Sequence, residues 1–148
     1  MKKSIIRTMR AFNRYYTNLI GALDKGYLET QYTLTEARIL FEISPAGKID
    51  TSGIIDGLLI DKSYLSRILK KFEKNKLITK SKSERDPRAS EISLTEKGRT
   101  ELGVLNTLVD RQFEELLKDL STTEVKQLAL HMNSIMEILG KTTTNQKK

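Results

Sequence analysis

DKSYLSRILKKFEKNKLITKSKSERDPR, residues 61–88, reads as a basic helix running into a hairpin. At helical spacing Leu65, Ile68, Leu69 and Phe72 fall at i, i+3, i+4 and i+7, one apolar stripe able to bury against other helices. At about 100° per residue, Ser63, Arg67, Lys70 and Lys74 lie opposite that stripe, with Ser66 and Lys71 on its shoulders. The outward face therefore offers hydroxyls and long basic side chains, which suits a phosphate-lined groove. Residues 61–90 hold ten Lys or Arg against four Asp or Glu, which is +6 of the chain's +7; the remainder is nearly neutral. A surplus confined to one short segment is the electrostatic footprint expected for nucleic acid, although a merely solvated helix face has the same composition.

The elements around this helix sharpen the reading. Upstream, TSGIIDGLLIDKS gives a short apolar helix, a tight turn at Leu59 to Asp61 and then the basic helix, which is helix-turn-helix spacing. Downstream, LITKSK and SEISLT are short strands joined by the charged loop SERDPRA, adding a wing. From Leu34 to Leu102, through LTEARILFEI, DKSYLSRILKKFEKNKLI and RDPRASEISLTEKGRTEL, the chain resembles the winged-helix domain of the MarR transcriptional regulators.

The resemblance implies a mainly α fold: a winged helix-turn-helix at 34–95 within one domain, 1–140. The terminal helices, 1–33 and 96–140, would form a dimerisation region; the tail 141–148, KTTTNQKK, is polar and by its composition is expected to be disordered. The resemblance implies a sequence-specific DNA-binding regulator, a ligand-responsive repressor acting as a homodimer on a palindromic operator. Ser63, Tyr64, Ser66 and Arg67 would approach base edges, while Lys70, Lys71 and Lys74 would approach phosphates. Lys62, Lys82, Arg85 and Asp86 complete the expected DNA-binding set, with Arg88 at the minor groove. A helical interaction module that keeps the fold and binds an acidic protein is the alternative.

The sequence also departs from the family. Lys76 stands where the family usually has Gly after the recognition helix; Asn tolerates a left-handed cap better than Lys, which moves the expected cap to Asn75. Leu59 replaces a common turn Gly, Ile55 replaces a small residue, and the wing reads Asp86, Pro87, Arg88 with no cation in the middle.

The first helix is expected to carry Ile5, Met9, Phe12, Tyr16, Leu19, Ile20, Leu23 and Tyr27 on one face and to leave near Lys25-Gly26. Arg7, Arg10 and Arg14 form its solvated side. Most aromatic residues should serve the core or a dimer contact, with Phe12, Tyr16 and Tyr32 as candidates for a small-molecule effector. The next helix is expected to open with Thr35 as cap, to point Leu34, Ala37, Leu40, Phe41 and Ile43 inward, and to close before Pro45. An extended stretch at Lys48 to Asp50 should pair beside the hairpin, and Ser52 should open the following helix. Thr95 should cap a long helix ending near Leu120, and Ser121 with Glu124 a last one carrying Leu128, Met132 and Ile135.

At 148 residues without cysteine, the chain reads as one domain lacking disulfides and thiolate chemistry. With neither a signal-peptide core nor a membrane span, a soluble cytoplasmic protein is expected. His131 stands alone, no phosphate-cradling glycine pattern occurs, and so neither catalysis nor a metal or other cofactor is expected. Residues 12–40 also resemble the amino-terminal half of proteins that fuse a MarR domain to an acetyltransferase, but the chain stops where that enzyme would begin.

Overall fold

The computed structural model describes residues 1–22, 26–84 and 86–144. Among the described residues, helices α1 (Lys2–Leu19), α2 (Leu34–Ala46), α3 (Thr51–Leu58), α4 (Lys62–Lys74), α5 (Glu96–Leu117) and α6 (Thr122–Thr144) accompany strands β1 (Ile49–Asp50), β2 (Ile78–Lys82) and β3 (Ser90–Leu94). They form two compact units, one reaching to Val109 and the other beginning at Asp110.

The core of the first unit is built on α4. Leu65, Ile68, Leu69 and Phe72 are buried, as their spacing requires, and join Ala37, Ile39, Leu40 and Ile43 of α2 and Ile54 of α3. Each fully buried large side chain contributes about 1.5–3 kcal/mol relative to exposure, so this cluster dominates the local energetics. The expected inward set of α2 holds for Ala37, Leu40 and Ile43, while Leu34 and Phe41 are half-buried; Ile39 was missed. The antiparallel sheet has the order β1-β3-β2, with Ile78 opposite Leu94, Lys80 opposite Ile92 and Ile49 opposite Ile92. Alternation along β3 sends Ile92 and Leu94 inward, which closes the sheet over the helices.

Several expected boundaries move, each for a local reason. Thr33, not Thr35, caps α2: its hydroxyl accepts the Glu36 N–H at 3.2 Å and the Glu36 carboxylate accepts the Thr33 N–H at 3.0 Å, a reciprocal capping box. The helix also runs past Pro45 to Ala46, and Gly47 at φ 66° ends it. Asp50 rather than Ser52 opens α3, accepting the Gly53 N–H at 2.8 Å, and the Ser52 hydroxyl donates to the same oxygen. α1 stops at Leu19, because Gly21 at φ 64° lets the Gly21 and Ala22 N–H groups close back onto Asn18 and Thr17. Leu23 and Lys25, expected in that helix, lie outside the described residues, and Tyr27 is buried in a single 3-10 turn, Tyr27–Glu29.

Thr95 caps α5 by accepting the Gly98 N–H at 3.0 Å. This helix ends at Leu117 rather than near Leu120. Leu102 and Leu105 are buried, and Val109, Phe113, Leu116 and Leu117 half-buried. In the second unit Ser121 and Glu124 form the expected capping box, and the Ser121 hydroxyl, followed by the Ser121 N–H, donates to the Glu124 carboxyl and holds it below its usual pKa. α6 continues through Lys141 to Thr144, where a disordered tail was expected, since no proline intervenes and a long helix extends at little cost per residue. Residues 145–148 lie outside the described residues.

At the end of α4 the expected left-handed residue is displaced. Asn75 has φ −81°, and Lys76 takes φ 59°. The Leu77 N–H bonds the Phe72 carbonyl at 2.9 Å and the Lys76 N–H bonds that of Glu73 at 3.0 Å, a paired helix stop that fixes which residue turns left-handed. The Lys76 carbonyl in turn accepts the Thr95 hydroxyl at 2.6 Å, and a Cβ on Gly98 would sit 2.0 Å from the Leu77 carbonyl oxygen. Lys76→Gly is therefore expected to stabilise the protein by about 0.5–1 kcal/mol, and Gly98→Ala to destabilise it by about 1–3 kcal/mol. Urea unfolding midpoints check both; a Gly98→Ala variant as stable as the parent would refute the close approach.

Candidate nucleic-acid interface

The outward face of α4 is assembled from its first turn. Asp61 accepts the Tyr64 N–H at 2.9 Å, satisfying one free amide, and Leu59 turns the preceding chain at φ 52° with its side chain in solvent. Lys62, Ser63, Tyr64, Ser66, Arg67, Lys70 and Lys74 are all exposed. The Arg67 guanidinium lies 5.6 Å from the Tyr64 ring centroid, a cation–π contact one helical turn apart that restrains both side chains. Among the described residues, Lys62, Arg67, Lys70 and Lys74 have no carboxylate within ion-pair distance. Their charge is free for an outside anion.

Lys71 differs from its neighbours. Its Nζ sits 2.7 Å from Oε1 of Glu36, whose residue is only 6% exposed. The other oxygen of Glu36 is committed to the Thr33 N–H. Sequence reasoning missed Glu36, although the spacing Thr33-x-x-Glu36 was a visible signal.

In the wing, Lys82 is exposed at the end of β2. Asp86 holds the loop: its Oδ1 accepts the Arg88 N–H at 2.9 Å, its carbonyl accepts the Ala89 N–H at 2.9 Å, and its own N–H donates to the Ser83 hydroxyl at 3.3 Å. This carboxylate shapes the turn through the backbone of Arg88. Arg88 projects from it exposed, and Arg85 lies outside the described residues.

The three aromatic effector candidates fall in two settings. Phe12 and Tyr16 stack on α1 with centroids 5.6 Å apart, Phe12 half exposed. Tyr32 is a core residue, edge-on to Phe72 at 6.4 Å, its hydroxyl donating to Glu101 Oε2 at 3.1 Å and accepting from Gln31 Nε2 at 3.2 Å. Tyr16 lies near enough to Tyr27 to join burial in raising the pKa of the Tyr27 phenol. Arg7, Arg10 and Arg14 line an open shelf with Lys3 and Ile6, and α1 has no buried residue. His131 is exposed on α6, and no group of three His, Cys, Asp or Glu among the described residues is placed to hold a metal. No described helix is long and apolar enough to cross a membrane.

Comparison with known proteins adds to this geometry. Residues 32–90 match the model of the MarR family. The HTH-type transcriptional regulator MgrA of Staphylococcus aureus is 29% identical over 139 residues, covering 94% of this chain and 89% of that protein. Streptococcus pneumoniae FabT in complex with DNA has a TM-score of 0.76 at 16% identity, covering 93% of this chain and 98% of FabT. An E. coli MarR variant complexed with operator DNA has a TM-score of 0.74 at 22% identity, covering 90% of this chain and 96% of that one.

Burial, followed by the Glu101 hydrogen bond, pushes the Tyr32 phenol from 10.0 up to about 12. The folded state thus holds the phenol neutral where the unfolded chain ionises, so its stabilisation is complete below pH 10 and is lost as pH rises towards 12. Tyr32→Phe should lower stability by about 1 kcal/mol at neutral pH and weaken the alkaline loss over that window. Chemical unfolding at stepped pH measures both; identical alkaline slopes for parent and variant would contradict the assignment.

Proposed function

We propose that the chain is a DNA-binding transcriptional regulator of the MarR family, acting as a homodimeric repressor on a palindromic operator. The observation that carries the proposal is the two-sided α4: an apolar stripe buried in the core and, opposite it, Arg67, Lys70 and Lys74 exposed, with no acidic partner among the described residues. DNA complexes of FabT and of the MarR variant support the choice of duplex DNA over an acidic protein. Ser63, Tyr64, Ser66 and Arg67, at the first turns of α4, are assigned to base edges; Lys62, Lys70 and Lys74 are assigned to phosphates. In the wing, Lys82 approaches the backbone and Arg88 a narrow minor groove.

Base readout and phosphate contact separate within one helix. Arg67→Ala should cost about 1–3 kcal/mol on the operator and relax sequence preference, whereas Lys70→Ala should weaken all sequences alike and flatten the salt slope by about one unit. Equal losses for both variants on operator and random DNA would overturn these roles.

Homodimerisation is supported by apolar side chains that the single chain leaves in solvent: Ile5, Met9 and Phe12 on α1, and Leu130, Ile135, Met136 and Ile138 on α6. Contiguous exposed apolar surface marks interfaces. A two-fold pair would present two α4 helices to successive major grooves, about 34–36 Å apart, and hence a palindrome. A small effector, with the half-exposed Phe12–Tyr16 stack as its candidate seat, would act through unequal affinity for different spacings of the pair. Replacing Leu128 and Ile135 with Glu should dissociate the dimer and abolish operator binding together. Sedimentation of the parent as a folded monomer that still protects a full palindrome would contradict it.

A further inference from the structure

We propose that Glu36 is a positioning residue that withholds Lys71 from the nucleic-acid surface, limiting sequence-independent phosphate binding by α4. The proposal rests on the DNA-binding reading of α4 given above. By position Lys71 belongs with Lys70 and Lys74, one residue along a basic helix. Its surroundings differ, because Nζ is 2.7 Å from Oε1 of Glu36, on α2, and this carboxylate is nearly removed from solvent.

Both Glu36 oxygens are used. Oε2 accepts the Thr33 N–H at 3.0 Å and completes the cap of α2, while Oε1 receives Lys71. Swinging Lys71 onto a phosphate would leave an ionised, buried carboxylate without its counter-charge, and that loss exceeds what one screened surface contact returns. The charge of Glu36 is also felt by its neighbour, since it contributes to the raised pKa of the Tyr32 phenol. A surface pair behaves differently. Lys80 and Glu73 are 3.5 Å apart with the Glu73 side chain 50% exposed, so water can replace the lysine when phosphate takes it. Lys71 instead ties α4 to α2 and releases no counterion when DNA binds.

The test is the salt dependence of binding to a short random-sequence duplex, followed by fluorescence anisotropy from about 0.05 to 0.2 M salt, with log affinity falling by about 0.9 per phosphate neutralised. Circular dichroism confirms that each variant is folded. Lys71→Ala should leave the slope of the parent unchanged. Glu36→Gln, which keeps an oxygen for the Thr33 N–H, should steepen the slope by about one unit by freeing Lys71, and Lys71→Ala added to it should restore the parental slope. Loss of packing alone would change affinity or folding without this reversal. A flattening of about one unit by Lys71→Ala in the otherwise unaltered protein would place Lys71 on a phosphate and overturn the proposal, and that arm stands even if Glu36→Gln does not fold. An unchanged slope for folded Glu36→Gln would overturn it as well. Lys70→Ala separates the two readings: if it flattens the slope while Lys71 or Glu36 misbehaves, only the role of Glu36 fails, and if the parent shows no salt dependence the DNA-binding reading fails with it.

Discussion

A buried carboxylate must find partners, and Glu36 finds them on two elements at once. One oxygen finishes the capping box that starts α2; the other holds Lys71 in the third turn of α4. The apolar stripe of α4 fixes which side of the helix faces inward, but such contacts are non-directional and tolerate rotation and sliding. A hydrogen-bonded ion pair does not. Thr95 and Lys97 hold the stop that follows the same end of the helix, through the Lys76 and Asn75 carbonyls.

The parts of this arrangement that sequence revealed are those governed by short-range periodicity. Four apolar residues at helical spacing identified α4, and alternating β-branched residues identified β2 and β3. Boundaries proved harder where two residues of similar chemistry competed. Thr33 and Thr35 both suit a cap, and the choice falls to Thr33 because only it has a glutamate three residues on. Gly21 and Gly26 both suit a stop, and the earlier one ends α1 with two returning hydrogen bonds. Asn75 and Lys76 pose the opposite problem: propensity favours Asn, but the stop needs its left-handed residue where the Leu77 N–H can reach Phe72, and that position belongs to Lys76. Intrinsic preference of about 1 kcal/mol is smaller than the hydrogen bonds and the buried Leu77 that a shifted register would sacrifice.

The candidate interface was legible as a face but not as a set of available charges. Counting residues treats Lys70, Lys71 and Lys74 alike, since all three are exposed in helical projection. Whether a lysine is free depends on carboxylates brought from elsewhere in the chain, here Glu36, thirty-five positions away. The same limit applies to Tyr32, an effector candidate in the linear sequence, whose ring packs edge-on to Phe72 and whose hydroxyl donates to Glu101.

The wing illustrates how a charged residue can shape a loop through its hydrogen bonds. Asp86 carries the wrong sign for DNA, and it stands beside the cations expected to reach the groove. Its carboxylate, however, is occupied by the Arg88 N–H, while its backbone ties to Ser83 and Ala89, so its main effect is to set the loop. An Asx turn of this kind reduces the number of conformations open to Arg88, and that would lower the entropic cost of ordering the loop on an anion. Replacing Asp86 by a cation would add attraction and remove the turn, two effects of opposite sign. The gain would be screened by salt, whereas the lost ordering would persist at every ionic strength. A negative residue is thus compatible with a phosphate-binding loop when its hydrogen bonds are spent on the backbone.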